Sequence, residues 1–159
     1  MSAYIDHGIF SKWKEEPFLA LGTYAQLQSS FGWEFFSQIF RRYDELIRQD
    51  KQYSDDDKIQ LWIEESSIIA KMNLCPHYDL WRWPIKKETN IKLSKLPYFL
   101  PDDFLTKKVE NRVKEIVNKY GGTSVVKRIP NPIPIIVGTL KNKLVIEGSK
   151  IIDEMTILN

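Results

Sequence analysis

Bulky aromatic side chains are confined to the first part of this chain, and that confinement decides where a core can form. It holds five Trp, seven Tyr and eight Phe, yet only Tyr120 lies beyond Phe104, and every Trp falls between Trp13 and Trp83. Each buried aromatic removes roughly 150–250 Å² from water. A dense core is therefore expected before residue 105, whereas the remainder must rely on Ile, Val and Leu. Charge changes at the same boundary, with 13 basic and 16 acidic residues through Phe104, then 10 and 5. The expected organisation is a helical unit over 1–100, an additional helix over 101–122, and a β-rich tail or the start of another domain over 123–159.

Periodicity makes the chain mainly α. Pro17 after Glu15 and Glu16 suits a helix start. Phe18, Leu21, Tyr24, Ala25 and Gln28 then recur at helical spacing up to Gly32, a stop. A second helix is expected from Trp33, with Trp33, Phe36, Ile39, Phe40, Tyr43, Leu46 and Ile47 forming an apolar stripe read as core. Ser54 and Asp57 resemble a capping box ahead of a third helix through Ile59, Trp62, Ile63, Ile69 and Ala70. A short helix is expected around His77 to Trp81, with an extended exit through Trp83 and Pro84. Pro97 and Pro101 read as a polar link, and Asp102 or Asp103 as the cap of a fourth helix carrying Leu105, Val109, Val113, Ile116, Val117 and Tyr120. Beyond Gly121–Gly122 the pattern turns to strands: Ile135 to Leu140 and Leu144 to Glu147 predict a hairpin around Lys141–Asn142–Lys143.

Composition removes several functions. A net charge of +2 is too balanced for a dedicated nucleic-acid binder, and Lys107, Lys108, Arg112 and Lys114 alternate with Glu110 and Glu115 as a solvated helix face. One cysteine, Cys75, excludes an internal disulfide and any multi-cysteine metal centre. No run of about 18 apolar residues predicts a transmembrane helix, and the first residues lack a signal-peptide layout. Asp55-Asp56-Asp57 lacks the spaced ligands and glycine of a calcium loop and reads as helix capping. His7 and His77 are 70 residues apart without a partner histidine at i+4, which is not a catalytic metal arrangement. Cys75 near His77 lacks an orienting third group for nucleophilic catalysis and reads as a small buried hydrophobe.

Three strings carry more than periodicity. They are Tyr24-Ala25-Gln26-Leu27-Gln28 continuing to Phe31-Gly32-Trp33, then Lys58 through Trp62 leading to Ser66 or Ser67 and Asn73-Leu74, then Trp81-Arg82-Trp83-Pro84-Ile85. In this order and spacing, over roughly residues 9–87, they resemble the C-terminal helical part of the enhancin-like zinc metallopeptidases, a family that includes mucin-degrading proteases and the TRP-channel-associated factors. Arg82 stands where that family usually has glycine, and His77-Tyr78 where two aromatics are common.

The resemblance implies the helical C-terminal subdomain of a gluzincin-like peptidase, followed here by a short β-hairpin or strand region. Intact relatives would hold zinc through an H-E-x-x-H helix and a later glutamate and would act on glycosylated, mucin-like proteins. This sequence has no such helix, so no catalytic or metal-binding residue is assigned and no cofactor is expected in this chain. The expected partners are the missing N-terminal part of a peptidase domain and, in the alternative reading of a non-catalytic interaction module, a membrane protein or a glycan. An apolar face left uncovered is expected on either reading. Tyr24 is the residue whose helix, in an intact relative, could bring a phenol to the cleft as an oxyanion donor, with core packing as the favoured reading. Trp81 and Trp83 are the rings that would stack on a sugar if exposed, again with packing against the helices as the favoured reading.

Overall fold

A computed structural model describes residues 1–48, 52–122 and 126–130. Two short helices that periodicity does not announce come first, α1 (Ser2–His7) and α2 (Phe10–Glu15), and α1 sends Tyr4 and Ile5 into the core. The long element α3 (Pro17–Ile47) carries Pro17 in its first turn and is two helices joined at Gly32, as the sequence suggests. There φ is +78° and ψ −179°, a region open essentially to glycine alone. A Cβ at Gly32 would meet nothing within 4 Å, so any cost of adding one is backbone strain alone. We expect Gly32→Ala to destabilise the fold by about 1–3 kcal/mol, read as a lower urea midpoint. An unchanged midpoint would show that the elbow relaxes into an ordinary helix.

Helix α4 (Asp55–Ala70) starts as its sequence predicts: Ser54 Oγ accepts from the Asp57 amide, and Asp55 to Asp57 occupy the positive end of the helix dipole. It ends at Lys71 in the left-handed region, φ +54°. Asn73 then organises the turn. Its Oδ1 accepts from the Cys75 amide while Ser67 Oγ accepts from the Leu74 amide. Helix α5 (Cys75–Leu80) follows, buried throughout, and then α6 (Lys87–Lys92).

The next stretch departs from the sequence reading. Tyr98–Asp102, expected as a link, is strand β1, fixed by backbone bonds from Phe99 N to Asn73 O and from Asn73 N to Pro97 O. The single fourth helix is instead α7 (Phe104–Lys108) and α8 (Glu110–Lys119), broken at Val109, whose φ of −120° and ψ of 42° are not helical. Asp103 caps α7 through a reciprocal box with Thr106. Strand β2 (Val126–Pro130) then pairs parallel with β1, Tyr98 opposite Val126. The hairpin expected at 135–147 lies outside the described residues. The fold is mainly α, with strand pairing around one edge.

One contiguous core joins these pieces. Trp81, Tyr78, Phe99, Leu27, Ile39 and Ile63 are fully buried at its centre. Close approach sets one position: a Cβ at Gly22 would lie 2.6 Å from the Trp81 ring, so this turn of α3 has no room for alanine.

Candidate functional site

The residues that carry the family resemblance are largely scaffold. Gln26 Oε1 accepts from Trp81 Nε1 at 2.7 Å and its Nε2 donates to Asp103 Oδ2 at 2.7 Å, tying α3 to α5 and α7. Trp62 Nε1 donates to the Tyr78 hydroxyl at 2.8 Å, and Ser66 Oγ lies 3.1 Å from the same hydroxyl. Gln60 bridges the Pro84 carbonyl and the Lys86 amide. Trp81 is fully enclosed, and Trp83 is buried between Tyr78 and Trp13, each at 4.7 Å between ring centroids. Neither ring is presented to solvent.

Arg82 explains why glycine suits its position. Its φ is +64°, left-handed backbone that costs a side-chain-bearing residue roughly 1–2 kcal/mol. The guanidinium offsets that strain by donating to the carbonyls of Ile5 (2.8 Å) and Asp6, the orphan acceptors at the end of α1. Arg82→Ala keeps the strain and loses the bonds, whereas Arg82→Gly loses the bonds and relieves the strain. The melting temperature is therefore expected to fall from wild type to R82G to R82A. R82A at least as stable as R82G would remove this account.

An apolar groove of about 690 Å³ runs along the elbow of α3. One wall is Leu21, Tyr24, Ala25 and Gln28, and the other is Trp33, Phe36, Ser37 and Phe40. Both sets follow i, i+3, i+4, i+7, so each half of α3 shows the groove one helical face. Trp62 of α4 completes the lining. Exposure corrects the reading of this stripe as core: Phe36 and Ile39 are buried, but Trp33 (62%), Phe40 (61%) and Leu21 (60%) face outward. The signal was the width of the stripe, since Trp33 and Phe40 together with Ile39 and Leu46 span more of the helix than one packed face needs. Tyr24 lines the groove, its ring edge-on to Trp13, Phe36 and Trp62 at 5.7–6.2 Å. Burial pushes its phenol up to about 12, so it is a neutral hydrogen-bond donor at ordinary pH.

None of the side chains that line the groove is an acid, a histidine or a cysteine. Cys75 is fully buried, its thiol pushed up to about 12 by burial and then by the charge of Asp79, which leaves it unreactive. His77 is fully enclosed with neither ring nitrogen in a hydrogen bond of ordinary geometry, while His7 is exposed at the end of α1. Among the described residues no three His, Cys, Asp or Glu side chains are grouped to hold a metal ion. A second, polar cleft of about 550 Å³ lies between the end of α1 and the α7–α8 break, where Asp6, Glu110 and Glu115 are interspersed with Lys107, Lys108 and Arg112. It is electrically mixed, with no focused charge of one sign.

Comparison with known proteins gives one family and a consistent set of relatives. The family described as "Peptidase M60, enhancin and enhancin-like" matches residues 2–82. A TRPM8 channel-associated factor homolog of Xenopus laevis is 42% identical over 85 residues, 52% of this chain and 9% of its own length. TRPM8 channel-associated factor 2 of Homo sapiens is 42% identical over 78 residues, 49% of this chain and 8% of its own. TRPM8 channel-associated factor 3 of Rattus norvegicus is 38% identical over 78 residues, with the same coverage of 49% and 8%. The chain thus spans less than a tenth of the length of these relatives. No solved structure matches it.

Proposed function

The chain belongs to the peptidase M60, enhancin and enhancin-like family, and from that premise we propose that it is a non-catalytic part of such a domain, acting by contact through the α3 groove rather than by peptide hydrolysis. The observation that carries this reading is the donor set. A zinc peptidase of this kind needs two histidines one helical turn apart, a glutamate base between them and a third ligand. This chain has two histidines in all, His7 and His77, on different helices, and His77 is enclosed in the core. The residues present do not fit zinc, which an intact domain would take, and no hydrolytic step is assigned to them.

The test is direct. Purified chain with added zinc is incubated with a mucin-type glycoprotein and with its deglycosylated form, and the products are resolved by size. No cleavage above the metal-free control is expected. Zinc-dependent cleavage abolished by a chelator would overturn the proposal.

A second reading is favoured by the names of the relatives, which describe association with a channel. On it, the same surface binds a membrane protein. Among the described residues no helix is long and apolar enough to cross a membrane. This reading requires a free chain that melts cooperatively; a non-cooperative, dye-binding profile would sink it.

A further inference from the structure

We propose that the α3 groove is a self-association surface, covered by a second copy of this chain in an antiparallel, two-fold contact. The proposal rests on the reading of the chain as a contact module and names the occupant. A two-fold interface is isologous: residue i meets j and j meets i. The outer face of the second half of α3 is built that way. Its groove residues run Trp33, Phe36, Ser37, Phe40. Turned end for end against itself, this face sets the exposed Trp33 against the partner's exposed Phe40, with the small Ser37 and the buried Phe36 as the floor between them.

Charge agrees with shape. Glu34 and Arg41 flank the face at its two ends, both exposed and 3.8 Å apart within one chain. Antiparallel approach places each Glu34 beside the other copy's Arg41, so identical copies meet opposite rather than like charges. No charged side chain lines the groove, and the net charge of +2 adds little repulsion.

Area is also adequate for a reversible contact. Leu21, Trp33 and Phe40 alone leave on the order of 400 Å² of apolar surface in water at the groove. A standard interface buries about 800 Å² per partner, so a weak, concentration-dependent contact is expected.

Sedimentation velocity of the full 159-residue chain, from about 1 to 200 µM, tests this over the range that interfaces of moderate quality occupy. A monomer–dimer equilibrium is expected. Phe40→Glu, at an exposed position, should raise the dissociation constant at least ~30-fold without lowering the melting temperature. Glu34→Arg and Arg41→Glu should each weaken the dimer. An equimolar mixture of these two variants should associate again, which only a contact between chains can produce.

A wild-type monomer throughout the range overturns the proposal. If that monomer brightens a hydrophobic dye, the groove is open to a different partner. If the dye stays dark, the chain's own remaining residues cover it. A dimer indifferent to Phe40→Glu and to mixing also overturns it, because the copies then meet elsewhere. None of these outcomes bears on the glycoprotein-cleavage assay, so the two proposals fail separately.

Discussion

Replacing Asp79 by asparagine is expected to cost about 3–5 kcal/mol, the loss that follows when one partner of a buried ion pair is removed and the other stays behind. The carboxylate, 10% exposed, is the hub that fastens α8 to α5. Arg112 Nη2 donates to Oδ1 at 2.8 Å and to the Asp79 carbonyl at 2.9 Å. Lys119 Nζ and the Tyr120 hydroxyl donate to Oδ2 at 2.5 and 3.0 Å. Burial and the charge of Asp79 push the Tyr120 phenol well up, so it stays a donor at any ordinary pH. Asparagine keeps the shape and one acceptor oxygen, but it loses the negative charge and turns its NH2 group toward the donors on the other side. Arg112, only 13% exposed, would keep its desolvation with only the exposed Glu115 left as counter-charge, 3.0 Å away.

Against a total stability of about ten kcal/mol for an ordinary domain, that loss moves the urea midpoint far. The pair Arg48–Asp44, exposed at 77% and 62%, should by contrast be worth under ~1 kcal/mol. A combined Asp79→Leu and Arg112→Met variant should recover much of the loss, because both charges leave together. A D79N midpoint close to wild type would show that α8 is held by Val113, Ile116 and Val117 alone.

Asp79 also marks the limit of what the sequence discloses. Nothing in Pro76 to Leu80 announces a buried charge, because its partners lie 33 to 41 residues further on. Features written locally are legible: Pro17 opening α3, Gly32 breaking it, Ser54 capping α4. Features decided by distant pairing are not. Tyr98–Asp102 contains Pro101, ends in Asp102 next to Asp103 and looks like a link, yet Asn73 and β2 pair with it and make it a strand. The same limit governed the groove. Periodicity identified the apolar face of α3 but not which of its aromatics the other helices would reach, so Trp33 and Phe40 were read with Phe36 and Ile39. The missing zinc helix was legible outright, because absence of a histidine pair needs no structure.

Acid is expected to unfold this protein partly through one residue, His77. Its ring is fully enclosed, 5.3 Å from Tyr78 and 6.1 Å from Phe99 between centroids, and neither nitrogen has a well-formed hydrogen bond. Burial drives its pKa down to about 3, against smaller opposing pulls from the charge of Asp103 and the backbone of Thr23. The folded chain therefore keeps His77 neutral where an unfolded chain, titrating near 6.5, takes up a proton. Between those two values the unfolded state binds more protons, so stability falls as pH falls, by up to ~1.4 kcal/mol per pH unit. Above pH 6.5 this contribution is fully present and flat; by pH 4.5 about 2–3 kcal/mol of it should be gone. Carboxylates paired in a native state slope in the same direction, so the residue must be isolated by substitution. His77→Phe fits the same aromatic slot, does not titrate, and removes from the core two ring nitrogens that lack a well-formed hydrogen bond. Denaturant unfolding at intervals from pH 4.5 to 7.5 should give H77F a visibly shallower loss than wild type, with the two curves diverging below pH 6.5. Parallel curves would mean that the native state admits a proton to His77, through water or a shift of Asp103, and that its enclosure is looser than the packing of α5 against α3 and β1 implies.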